Sequence, residues 1–91
     1  MLHIIKASHA LQELCAIYQN GDQVLLMEDS VYVANAHHPM FTILKPMDVL
    51  ALESDVQARG IIHRISPSIT MVDYAGFVNL TAQHASSLTW E

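Results

Sequence analysis

The chain has 91 residues, of which 52% are hydrophobic and only 14% charged, with nine acidic and four basic side chains giving a formal net charge of −5. That length suits one domain and not two independent cores, and the apolar content with modest net charge excludes an intrinsically disordered chain. A folded monomer of this mass should expose about 5,300 Å², or roughly one charge per 400 Å², which is thin cover and suggests that part of the surface meets other chains.

From the amino terminus, Met1 to Ile5 forms a short apolar run and Ser8 stands in N-cap position before Leu11, Leu14, Cys15 and Tyr18 at helical spacing, with Gly21 as the stop. Val24 to Met27 is a continuous apolar run, the signature of a strand buried on both faces of a parallel sheet, and Glu28 and Asp29 end it. A second helix is predicted from Ser30, interrupted near His37-His38-Pro39 because residues before proline avoid helical backbone, with Met40 to Leu44 as a further helical turn. Val49 to Leu52 reads as the third strand. Ser54-Asp55-Val56-Gln57 has the capping-box pattern of a helix that Gly60 closes. Ile69 to Val72 makes a fourth strand, Tyr74, Phe77, Val78 and Thr81 share a face of the last helix, and Leu88 to Trp90 makes a short fifth strand. No repeat or linker divides this alternation, which predicts a single α/β domain over residues 1–91 with a mainly parallel four- to five-stranded sheet flanked by helices.

The longest unbroken apolar run, Leu14 to Tyr18, is far short of a membrane span, and no basic start precedes an export segment, so no membrane association and a cytoplasmic location are expected. Cys15 has no internal disulfide partner, as befits a reducing compartment. The basic residues are Lys6, Lys45, Arg59 and Arg64, too few and too dispersed for a nucleic-acid stripe.

Ligand sites of open α/β sheets lie at the carboxyl ends of strands, which here carry Lys6 and Ser8; Glu28, Asp29 and Ser30; Glu53, Ser54 and Asp55; and Asp73 and Tyr74. Converging carboxylates would suit Mg²⁺, as in a receiver-like domain, but each acidic group also opens a helix and is more simply read as a cap. Six histidines, among them the adjacent His37 and His38, lack the close spacings and sulfur partners of a zinc site and are read as surface or interface residues. Cys15 is the one soft nucleophile: an exposed thiolate there would carry persulfide sulfur, whereas a face shared with Leu11, Leu14 and Tyr18 favours a buried core residue. No Ser-His-Asp set, glycine-rich phosphate loop or Cys-x-x-Cys pattern is present, and no cofactor is expected. Tyr32, Val33, Met40, Phe41 and Trp90 are candidate interface residues, with the core as their alternative.

Several fragments together resemble one family. Met1-Leu2-His3 with Ser8, Gly21-Asp22 followed by Val24 to Asp29, Val49 to Asp55, Ala58-Arg59-Gly60, Ile65-Ser66, Val72-Asp73-Tyr74, Phe77-Val78 and Thr89-Trp90 are similar in order and spacing to the TusB/DsrH subunits of bacterial sulfur relays. The resemblance spans nearly the whole chain. It implies a DsrE/F/H-type fold and assembly with TusC-like and TusD-like subunits into a heterohexamer that takes sulfur from TusA and passes it through TusE toward 2-thiouridine at the tRNA wobble position. It also implies that the clearest persulfide cysteine belongs to the TusD-like partner, that tRNA is met only indirectly, and that the isolated chain self-associates. Some DsrH-type members carry a cysteine on the first helix, where Cys15 falls.

Overall fold

A computed structural model describes residues 1–91. Five strands, β1 (Leu2–Ile5), β2 (Gln23–Leu26), β3 (Val49–Leu52), β4 (Thr70–Val72) and β5 (Ser87–Trp90), form one sheet in the order β4-β3-β2-β1-β5. Every pairing is parallel, and the register sets His3 beside Val24 and Leu88, and Ile5 beside Leu26 and Trp90. All four residues of β1 and of β3 are buried, because both faces of the sheet are covered.

Strand alternation divides the core in two. Ile5, Val24, Leu26, Val49 and Ala51 point to one face, where they meet Leu11 and Leu14 of α1 (Leu11–Ile17), Phe41 and Leu44 of α2 (Phe41–Leu44) and Val56 of α3 (Glu53–Ala58). Leu2, Ile4, Leu25 and Leu50 point to the other face, where the cover is Leu80 and Phe77 of α4 (Tyr74–Gln83). Helix α4 connects β4 on one edge of the sheet to β5 on the opposite edge, so one ten-residue helix spans that face.

Three local expectations are corrected. Ser8 does not cap α1: it opens a 3₁₀ turn, Ser8–Ala10, that runs straight into the helix, and its side chain makes no capping bond. Ser54 does not cap α3 either. That helix begins at Glu53 directly after β3, so Leu52 occupies the cap position and Ser54 falls inside the first turn. The segment predicted as a helix from Ser30 is a seven-residue 3₁₀ stretch, Glu28–Ala34. Its first turn is pinned by buried Ser30, whose Oγ accepts from the Met27 N–H and faces the carbonyls of Ile5 and Met27, binding the stretch to the end of β1. The fourth helix is capped as expected, with Asp73 Oδ1 accepting the Gly76 N–H at 2.8 Å.

Candidate functional site

The carboxyl ends of the strands gather the charges that the sequence placed there, and the structure pairs most of them with one another. Arg59, at the C-cap of α3, donates from Nε to Asp29 Oδ1 at 3.0 Å, with its Nη2 in ion-pair contact with the same oxygen at 3.0 Å and its Nη1 3.8 Å from Asp55 Oδ1. Asp55 Oδ2 accepts the Glu28 N–H at 2.6 Å, holding Glu28 in the left-handed region at φ 52°. That conformation is uncommon for a residue with a side chain and fixes the exit of β2. Lys6 sits between Glu91, at 3.3 Å, and Glu28, at 3.6 Å; the hydrogen bond to Glu91 and then the charge of Glu28 raise its pKa above the ordinary lysine value. Glu28, Asp29, Asp55, Asp73 and Glu91 therefore each have a cation or a backbone N–H as partner, and Glu53 alone of these carboxylates has neither. No three His, Cys, Asp or Glu side chains converge in a metal-holding arrangement.

At the amino ends of the strands lies a second polar cluster, built on a histidine that the sequence reading placed at the surface. His3 is 1% exposed, on the same face of β1 as Ile5. Trp90 Nε1 can only donate, and it donates to His3 Nδ1 at 3.3 Å; the ring proton therefore resides on Nε2, which donates to Asp22 Oδ2 at 2.9 Å. Asp22 also accepts from the Met1 amino group at 3.0 Å and from the Gln19 N–H at 3.1 Å. The His3 hydrogen bond chiefly, and then those to Met1 and Gln19, lower the Asp22 pKa to about 2 against the penalty of burial. Tyr18 completes the cluster: its hydroxyl donates to the Asp22 carbonyl at 2.7 Å and accepts the Asp48 N–H at 2.9 Å, joining the turns before β2 and β3. The sequence signal for His3 was its alternation with buried Leu2 and Ile4 within one strand.

Cys15 is exposed, which corrects the core reading. One residue along a helix turns ~100°, so Leu14 faces the core while its neighbour looks outward. It lies near the end of α1 leading to Tyr18, toward the amino ends of the strands and away from the charged rim. Of the five candidate interface residues, Val33 and Phe41 are corrected to core: they pack among Leu44, Val31 and Ala34, with Val33 fully buried. Met40 and Trp90 are half-buried against that core, and Tyr32 is exposed. Tyr74, Val78 and Leu88 add exposed apolar groups that the sequence reading did not single out as interface. Tyr74 meets Phe77 edge-on at 6.1 Å between ring centres, forming an aromatic step on α4.

Comparison with known proteins fits this arrangement. A family model described as DsrH like protein matches residues 6–87. The chain is 39% identical over 82 residues to Protein TusB of Cronobacter sakazakii, covering 88% of this chain and 86% of that one. It is 37% identical to Protein TusB of Escherichia coli O81, covering 99% and 100%. Among solved structures, the ychN protein of E. coli superposes with a TM-score of 0.74 at 16% identity, covering 98% of this chain and 97% of that one. The Thermotoga maritima protein Tm0979 gives 0.66 at 22%, covering 92% and 94%. These two establish the likeness of fold, whereas the sequence matches over nearly the full length establish kinship: the chain belongs to the DsrH/TusB family.

Proposed function

We propose that this chain is a mainly structural subunit of a TusBCD-like sulfur-relay complex, completing the assembly around a TusD-like partner that bears the persulfide cysteine. Membership of the DsrH/TusB family makes it a tRNA sulfur-relay family member, and the near-complete alignment with TusB relatives is the observation that carries the reading. In this proposal the complex is a heterohexamer with TusC-like and TusD-like subunits, works in the cytoplasm, receives sulfur from a TusA-like donor and delivers it through a TusE-like carrier toward 2-thiouridine. The chain does not itself touch the tRNA. Two physical facts support an architectural role. Most of the charges at the strand ends are spent on one another, Lys6 on Glu28 and Glu91 and Arg59 on Asp29 and Asp55. The thirteen charged side chains are also spread over 5166 Å² of surface, on which Tyr32, Tyr74, Val78 and Leu88 are exposed. Two interfaces of standard size, about 800 Å² on this chain for each, would cover close to a third of that surface.

Co-expression with the cognate TusC-like and TusD-like chains followed by native mass spectrometry tests the proposal. The expected species is a hexamer containing two copies of each; a persistent free monomer of this chain beside a complete complex of the other two overturns it.

The exposure of Cys15 favours a second reading, in which this chain carries sulfur itself. The Cys15 thiolate attacks the outer sulfur of a donor persulfide, the donor's S–S bond breaks, and the donor leaves as its thiolate. Alkylation and mass spectrometry after exposure to a persulfide donor should then find one added sulfur on Cys15. An unchanged thiolation yield in a Cys15→Ser strain excludes that role.

A further inference from the structure

We infer that the groove between the end of the 3₁₀ stretch and the 61–67 loop is a binding site for a phosphate group carried by a small ligand. Two contiguous cavities of about 510 and 330 Å³ lie there, sharing Asn35, His37 and Arg64. Tyr32 and His38 line the smaller one and His63 the larger. No Asp or Glu lines either cavity, although acidic residues outnumber basic ones nine to four in the chain. Three of the six histidines and one of the two arginines are thus collected on one small surface.

The hydrogen bonds already made fix what the groove offers. Lys6 and Arg59 are ion-paired elsewhere, whereas the Arg64 guanidinium forms no ion pair. His38 Nδ1 accepts the Met40 N–H at 3.1 Å, which leaves the ring proton on Nε2 as an uncommitted donor. Asn35 Oδ1 accepts the His37 N–H at 3.0 Å, so its side-chain NH₂ is the part left to act. The walls therefore present donors from two sides, Arg64 from one and Asn35 and His38 from the other, a pattern that calls for a ligand rich in acceptor oxygens and negative charge. A tetrahedral phosphate uses donors converging from several directions, which suits this groove better than the planar two-oxygen edge of a carboxylate.

The two walls are also fixed in advance. Asn35 pairs with Ile65 in an isolated antiparallel bridge, and the Ser66 N–H donates to the Ala34 carbonyl at 2.9 Å, so segments far apart in the sequence hold one geometry without a ligand. Such preorganisation reduces the ordering cost of binding.

The test is a ¹H–¹⁵N titration of the full 91-residue chain with inorganic phosphate, a nucleoside 5′-monophosphate and hexaglutamate. Saturable shifts centred on Asn35, His37, His38 and Arg64 are expected with a phosphate-bearing probe. Saturation with both phosphate probes alike assigns the site to the phosphate itself, and saturation with the nucleotide alone assigns it to a nucleotide phosphate. The Arg64→Ala variant, an exposed substitution checked for an otherwise unchanged spectrum, should bind at least about tenfold more weakly. Lys45→Ala, outside the groove, should bind as the parent does. Shifts that do not saturate, saturable shifts that survive Arg64→Ala, or tighter binding of hexaglutamate than of either phosphate probe at these residues overturn the inference.

Discussion

Replacing Asp22 with asparagine removes one negative charge while leaving a carbonyl oxygen to accept the His3 proton, and so isolates the electrostatic part of the amino-end cluster. The carboxyl is lowered from an ordinary 3.8 to about 2, chiefly by the His3 hydrogen bond, and its side chain is only 12% exposed. The difference corresponds to at most ~2.4 kcal/mol of folding stability at neutral pH. The ion pair with the Met1 amino group is solvent-facing and screened, which reduces the expected loss to about 1.5–2 kcal/mol. For a domain of this size that is a fall in Tm of roughly 6–16 °C. Because the folded value lies below the unfolded one, the contribution is complete above about pH 5 and disappears as pH falls from 3.8 through 2. Urea unfolding of parent and Asp22→Asn should therefore differ at pH 7 and converge near pH 2. Parallel curves across pH 6 to 2, or a difference below about 0.5 kcal/mol at pH 7, would refute this account of the cluster.

Ser30→Ala removes the hydroxyl shared by the Ile5 carbonyl and the Met27 N–H, which still bond each other at 3.0 Å, so chemical denaturation should find a loss of about 0.5–1.5 kcal/mol. Asp73→Ala removes the α4 cap and should lower stability by about 1 kcal/mol, while Asp73→Asn should recover most of it; thermal melts of the pair measure both. Gly60→Ala meets no atom within 4 Å yet is forced to φ +67°, so its expected loss, about 1 kcal/mol in urea titration, comes from backbone strain alone.

The central strands were legible because β2 and β3 carry unbroken apolar runs, Val24 to Leu26 and Val49 to Leu52, a pattern that burial on both sides of a parallel sheet imposes without help from distant sequence. Helix starts were less so. Ser8 and Ser54 carry the right chemistry for caps, but a 3₁₀ entry into α1 and the absence of any loop between β3 and α3 moved both out of the cap position. Cys15 shows the limit of periodicity in a seven-residue helix, where the buried stripe is narrow enough for adjacent residues to take opposite environments. The clusters were less legible still. His3, Asp22 and Trp90 meet only once β1 is flanked by β2 and β5, and His38 and Arg64 share a groove only through the Asn35–Ile65 bridge. Spacing along the chain holds no record of such pairings.

The division of the core also sets an order of events during synthesis. Leu2, Ile4, Leu25 and Leu50 all precede residue 53, but the helix that covers them does not begin until Tyr74. While the chain is being made, the other face can acquire its cover from α1, α2 and α3 as each strand is added, but this face stays bare until the last fifth of the sequence has emerged. A nascent chain with an open apolar sheet face is prone to stick to its neighbours. The interval before α4 arrives is therefore when this protein depends most on whatever chaperones or partner chains are at hand.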